Sequence, residues 1–353
     1  MSKVALITDT HFGARNDSQV FIDYMKSFYT NVFFPYLETH NIKYVIHCGD
    51  VFDRRKYINY KSLSECKSYF FDQLAERNLS TFMLAGNHDT FYKSTNEINS
   101  VKLLLKEYDN LTIYDEPCEI TLPFDQQVVM IPWICNDNYQ RTLDLIKNTK
   151  CDLVFGHLEI DGFETHLGFV HSGGLNNNIF NKFDMVFSGH FHHKSDNKNV
   201  YYLGNPYELT WHDYKDQRGF HIFDFETREL EFISNPYRMF HKFYYNDKDL
   251  QPHDVGNYNF DEYKNRYVKV IVQEKLNPYI FDLMMDKMYK AGAFDISIVE
   301  NFVDMDNNEE IIDEAQDTMT ILSQYIEQMN TKIDKTHLDE LVKTLYTEAL
   351  NIE

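Results

Sequence analysis

Carboxylates, a carboxamide and imidazoles recur in five short motifs along this chain. They are Asp9-Thr10-His11, then Gly49-Asp50 with Asp53 just beyond, Gly86-Asn87-His88-Asp89, Gly156-His157, and Gly189-His190-Phe191-His192-His193. Oxygen and imidazole donors in this mixture suit Mn2+, Fe2+ or Zn2+, and two such ions about 3.5–4 Å apart need a carboxylate shared between them. In an extended segment the side chains at i and i+2 point the same way, so Asp9 and His11, and His190 and His192, can act as pairs. The glycines permit sharp turns and close backbone approach. Each motif alone has a plain reading as a helix cap, a turn or a surface histidine. All five in this order, each behind an apolar run, point to one centre holding two metal ions.

The elements that must position these residues are legible as short apolar runs: "KVALIT" (3–8), "YVIHC" (44–48), "TFMLA" (81–85), "VVMIPW" (128–133), "DLVF" (152–155), "DMVF" (184–187) and "VYYLG" (200–204). Their near-continuous apolar content predicts strands buried on both faces. Segments with helical spacing lie between the early ones, with Phe21, Met25 and Phe28, then Leu63, Phe70 and Leu74, on their apolar faces. Strand alternating with helix predicts an α/β fold of two sheets packed between helices. In such sheets the carboxyl ends of the strands line one crevice, which is where the motif residues fall.

At these residues the chain resembles the calcineurin-like metallophosphoesterase superfamily, whose pattern is D-x-H, GD-(x)n-D, GNH(D/E), GH and GHxH. The resemblance spans residues 1 to about 220 and includes all five motifs. It implies a two-sheet sandwich flanked by helices. It also implies a first metal held by Asp9, His11, Asp50 and His192, and a second held by Asp50, Asn87, His157 and His190, with Asp50 bridging. His88 takes the role of the catalytic histidine that serves the leaving oxygen, and Asp53 that of the carboxylate orienting it. Asp89 is expected to shape its turn, and His193 to lie behind the ligands or at the surface. The implied cofactor is a pair of divalent ions, Mn2+ first, with Mg2+, Fe2+ and Zn2+ as alternatives.

A finer likeness is to the SbcD-type recombination nucleases, carried by "GDVFDRRKYIN", "IPW" (131–133), "GHLEIDGF" (156–163), "SGHFHH" and "LGNP" (203–206). The chain length and two of these stretches match the version encoded by T4-type bacteriophages. This resemblance implies a DNA exonuclease and endonuclease subunit, active in recombination and double-strand-break repair. Its partner would be an SMC-like coiled-coil ATPase, with the chain as a homodimer within a heterotetramer in the host cytoplasm. The alternatives are another enzyme of the superfamily (nucleotidase, cyclic-nucleotide phosphodiesterase or protein phosphatase) and a non-catalytic scaffold. One departure stands out: some relatives place a second active-site histidine where Asp53 stands. Arg54, Arg55 and Lys56 lie just beyond the motif and are expected to hold DNA phosphates.

Four regions are expected: a phosphoesterase domain over 1–235, a small α+β capping domain over 236–303, an acidic linker over 304–317, and a helical ATPase-docking segment over 318–353. The capping domain is marked by "YVKVIVQ" (267–273), a Met-rich helical stretch (281–291) and "FDISIVEN" (294–301). The docking segment reads as two amphipathic helices, the first bearing Met319, Leu322 and Ile326, the second Leu338, Leu341, Val342 and Leu345. With 55 acids against 34 bases, the chain is a poor nucleic-acid binder on charge alone, so metal ions, the basic trio and a partner must offset its net charge of −21. Five scattered cysteines without a C-x-x-C indicate neither a disulfide framework nor a zinc ribbon. No apolar run reaches membrane-span length and no signal peptide is evident, so a soluble intracellular protein is expected.

Overall fold

The apolar runs become strands because their alternate side chains enter two different cores. The computed structural model describes residues 2–166, 168–300 and 338. In strand β1 (Lys3–Ile7), Val4 and Leu6 enter one hydrophobic cluster, while Ala5 and Ile7 enter another. The strands that follow are β2 (Tyr44–His47), β3 (Ser80–Leu84), β4 (Leu111–Tyr114), β5 (Cys118–Thr121), β6 (Gln127–Ile131) and β7 (Leu153–His157). After a hairpin of β8 (Glu164–His166) and β9 (Phe169–Val170) come β10 (Met185–Gly189), β11 (Ser195–Asn197), β12 (Val200–Tyr202), β13 (Gly219–Asp224) and β14 (Leu230–Ser234).

These strands build two six-stranded sheets, ordered β14-β13-β1-β2-β3-β4 and β11-β12-β10-β7-β6-β5. The inner strands of each run parallel. Leu6, Ile46 and Leu84 of the first sheet share a cluster with Met130, Phe155 and Phe187 of the second, which is the sandwich core. On the outer face of the second sheet, Val129, Val154 and Val186 pack with Ile146 of the helix Tyr139–Asn148, labelled α3. The outer face of the first sheet is covered by α1 (Gln19–Phe28) and α2 (Tyr60–Cys66). Both pass directly into a π-helical turn, Tyr29–Phe33 and Lys67–Phe71. The wider turn rotates the buried stripe, so that Tyr69, Phe70 and Phe71 are all buried in succession.

Beyond Asn235 the chain forms a three-stranded parallel sheet, β15 (Phe240–Asn246), β16 (Tyr267–Glu274) and β17 (Asp295–Val299), in that order. Helix α4 (Pro278–Lys290) crosses from β16 to β17 and is capped by the Asn277 side chain. Tyr245, Val268, Val270, Phe281, Met284 and Met288 form a hydrophobic cluster of their own there. Strand β15 falls in a stretch whose sequence reads as a polar crossing. Its burial is only partial and it carries Lys242 and His241, so no alternation marks it. All five cysteines are free. No helix among the described residues is long and apolar enough to cross a membrane. Apart from Leu338, which is helical and half-buried, the expected docking positions and the acidic linker lie outside the described residues.

Candidate metal centre

The five motifs meet at the carboxyl ends of β1, β2, β3, β7 and β10. The loops after β1 and β2 continue the parallel pairing: the Asp9 N–H donates to Gly49 O (2.9 Å) and the His11 N–H to Asp50 O (3.1 Å). Gly189 lies level with His157 across the β10/β7 pair. Four of the expected ligands hold left-handed backbone, with φ of 50° at Asp9, 42° at His11, 54° at Asp50 and 87° at His190. Such conformations cost of order 1–3 kcal/mol each outside glycine and collect where the surroundings over-determine them. Two glycines explain how the loops close up. A Cβ on Gly86 would lie 2.2 Å from Asp50 N, and one on Gly189 would lie 2.0 Å from Thr8 Oγ1.

All seven expected ligands converge. Asp9, His11 and His192 form one group of donor atoms, and Asp50, His157 and His190 another. His11 Nε2 and His192 Nε2 face each other at 3.0 Å, with Asp9 Oδ1 and Asp50 Oδ2 at 4.0 and 3.8 Å from His11 Nε2. On the other side, Asp50 Oδ2 lies 3.4 Å from His157 Nε2. Asn87 Oδ1 lies 2.9 Å from both His157 Nε2 and His190 Nδ1. The His157 Nδ1–H donates to Cys48 O at 2.8 Å, which turns Nε2 toward the centre. Asp50 touches both groups.

The electrostatics are those of buried negative charge gathered with imidazoles. Burial, with Asp50 adding to it, pushes the Asp9 carboxyl up to about 6. Burial would raise Asp50 too, but His157 holds it well below the usual carboxylate range. Burial also lowers His11 and His157, yet the surrounding carboxylates outweigh it and lift each to about 9. His190 is pushed down to about 3 by burial and by His157. His192 is likewise held well below its ordinary value by burial and by His11. Carboxylates, a carboxamide and imidazoles at this spacing fit divalent ions.

His88 stands over this cluster. Its backbone N–H donates to Asp50 Oδ1 at 2.7 Å, and its ring packs edge-on to His11 at 4.9 Å. The expected Asp53 carboxylate contact is absent. The Asp53 main-chain carbonyl accepts from His88 Nδ1 at 2.6 Å, while its carboxylate faces His11 Nδ1 at 3.5 Å. The Asp53 N–H donates to Phe12 O, which holds this loop beside the His11 segment.

The profile of the calcineurin-like phosphoesterase family matches residues 2–194. The chain belongs to the calcineurin-like phosphoesterase family. This phosphoesterase is 31% identical to Exonuclease subunit 1 of Enterobacteria phage T4 over 98% of its length and 99% of the phage protein's. A component of the SbcCD nuclease of Staphylococcus epidermidis is 23% identical over 65% of this chain and 67% of its own. A solved structure of an archaeal phosphodiesterase aligns at 18% identity and a TM-score of 0.33, over 66% of this phosphoesterase and 99% of its own chain. The protein is thus a metal-dependent hydrolase of phosphoesters, with a dinuclear divalent site.

The basic trio of this phosphoesterase is less free than its sequence implies. Arg54 pairs with Asp17 at 2.7 Å and donates to Asn16 at 3.0 Å. Arg55 is partly buried, which lowers its pKa. Both lie with Lys56 in the loop ahead of α2. Asp89 accepts from the N–H groups of Val51, Phe52 and Gly86 and so pins the Asp50 loop, in keeping with a turn-shaping residue. His193 turns from the ligands to Asp216, at 2.8 Å.

Two supports were not evident in the sequence. Arg218 is fully buried and donates to His192 O and Asn205 Oδ1, and it pairs with Asp213 (2.8 Å) and Asp216 (2.7 Å). In "DYKDQRG" it looks like part of a solvated charge run. His47 accepts from the Gly49 N–H at 3.2 Å and contacts Thr10 Oγ1 at 3.1 Å, behind the first two motifs. Its position inside β2, two residues before Gly49, was the available signal.

Proposed function

We propose that this chain is the nuclease subunit of an SMC-like ATPase–nuclease complex, cutting DNA in recombination and double-strand-break repair. The observation that carries the reading is the convergence of all seven expected ligands, with His88 bonded to the one carboxylate that touches both groups. The likeness to a phage exonuclease subunit over nearly the whole of both chains supports the choice of DNA over other phosphoesters.

In this reading Asp9, His11, Asp50 and His192 hold one ion, and Asp50, Asn87, His157 and His190 the other, Mn2+ being the working metal. Two divalent ions there supply positive charge to the phosphoryl oxygens and lower the pKa of water toward neutrality. The remaining work belongs to side chains. With His88 Nδ1–H held by the Asp53 carbonyl, Nε2 is the nitrogen left for the leaving oxygen, and it gives up a proton only from the imidazolium, which Asp50 and Asp53 favour against the burial that lowers its pKa. Arg54, Arg55 and Lys56 then steady the DNA backbone, Arg54 exchanging Asp17 for phosphate. Met319, Leu322, Ile326, Leu338, Leu341, Val342 and Leu345 dock the ATPase, and two copies of the chain pair within a heterotetramer in the host cytoplasm. Residues 236–303 serve as the capping domain.

The test is Mn2+-dependent digestion of an end-labelled linear duplex by the purified chain, beside His88→Ala. Nucleotide release that falls about 10²- to 10⁴-fold in the variant, with metal content unchanged, is the expected result. Release that survives the substitution would remove His88 from the chemistry. No release, with a simple phosphodiester still hydrolysed, would count against DNA as the substrate of the isolated chain.

A further inference from the structure

Beside the Asn87–His157–His190 side of the centre lies a half-open pocket of ≈ 180 Å³, lined by Trp133, Ile134, Tyr139, Glu159, Gly174 and Leu175. Trp133 joins the two: its ring centroid is 5.1 Å from that of His190 and 6.1 Å from that of His157. Its backbone is fixed on three sides. The N–H donates to Ala85 O (2.8 Å), and the carbonyl accepts from Asn96 Nδ2 (2.8 Å) and Asn138 Nδ2 (3.0 Å). The main chain that carries the indole is thus held in place, and the ring itself rests beside His190 and His157. Tyr139, at the start of α3, is 47% exposed and offers a second aromatic face.

The lining also decides which part of a substrate fits. Its one charged residue is Glu159, whose carboxylate lies 3.0 Å from His171 Nε2. With a carboxylate and no cation, the pocket disfavours phosphate, while its aromatic faces suit a flat, weakly polar ring. We infer that this pocket is a nucleobase subsite, taking the base of a nucleotide that flanks the phosphate to be cut. The inference rests on the nuclease reading of the centre and adds a preference for nucleoside phosphoesters over simple ones.

Three full-length variants test it in the presence of Mn2+, by fluorescence and by hydrolysis. Trp211→Phe leaves Trp133 as the sole tryptophan, and thymidine 5′-monophosphate should then quench its emission saturably while inorganic phosphate should not. For hydrolysis, the p-nitrophenyl ester of thymidine 5′-phosphate is compared with methyl p-nitrophenyl phosphate, which shares the leaving group but lacks the nucleoside. Trp133→Ala should lower kcat/KM for the nucleoside ester about 5- to 150-fold more than for the methyl ester. Tyr139→Ala, at an exposed position that folding tolerates, should shift the same ratio in the same direction. Equal losses on both esters, or no quenching by the nucleotide beyond that by phosphate, would overturn the subsite. Selective quenching in a chain that hydrolyses neither ester would keep the subsite and count against the nuclease reading instead.

Discussion

At the scale of single residues, Asp50 ties the centre together because its two oxygens do different things. Oδ1 accepts the His88 N–H, and Oδ2 lies between His157 and His11. Asp53 is the residue whose part the geometry redistributes. Its carbonyl holds His88 whatever its side chain, and its carboxylate meets His11. Asp53→Ala should thus weaken Mn2+ affinity about 10- to 100-fold, as outer-shell losses do, and reduce turnover at saturating metal far less than His88→Ala. Calorimetric Mn2+ titration beside kcat decides the matter. A collapse of kcat with metal affinity intact would mean that the carboxylate orients His88 after all. Arg218 is the second case. Arg218→Met takes the guanidinium from buried Asp213 and leaves Asp216 with His193 as its cationic partner, so about 3–5 kcal/mol of stability should go, seen as a lower urea midpoint. A midpoint within error of wild type would mean that those carboxylates take up protons or water at little cost.

At the scale of elements, the junction between the sandwich and the three-stranded sheet hangs on one buried acid. Glu208 Oε2 accepts from the N–H groups of Met239 (2.7 Å) and Phe240 (3.0 Å), where β15 begins. Burial raises its carboxyl from 4.5 to about 7, against the pull of those two hydrogen bonds. A folded pKa above the unfolded one means that the group's stabilisation is complete below about pH 4.5 and is lost as pH rises through about 7. The loss is on the order of 3 kcal/mol. Glu208→Gln mimics the protonated form at every pH. Between about pH 5 and about pH 8 the wild type should therefore lose melting temperature relative to the variant. A constant difference between the two melting curves would contradict the shift. The strands that carry motifs were legible because each is buried on both faces. Edge strands such as β5, with alternate residues exposed, and β15, with charge and partial burial, were not, since four to seven residues of weak alternation resemble a loop. The residues that converge at the centre were likewise legible, because they are particular donor types and four of the five motifs set them just behind a glycine. The supports, Arg218 and Glu208, were hidden because in sequence a buried charge looks the same as a solvated one.

At the scale of the whole molecule, the acidity is unevenly spread. Residues 301–353 contain 13 acids against 3 bases, so much of the net −21 lies outside the phosphoesterase body. A chain ending at residue 300 should bind duplex DNA several-fold more tightly than the full chain at low salt. The gap should close as the Debye length shrinks from about 30 Å at 0.01 M to about 3 Å at 1 M. Fluorescence anisotropy of a labelled duplex across that range tests it. Tighter binding by the full chain would mean that the tail itself contacts DNA.

At two glycines the loops touch: Gly86 lies against Asp50 at the end of the first sheet, and Gly189 lies against Thr8 between the ends of the two sheets. With no room for a side chain where these loops abut, Gly86→Ala and Gly189→Ala should each displace a ligand-bearing loop while the sandwich core stays in place.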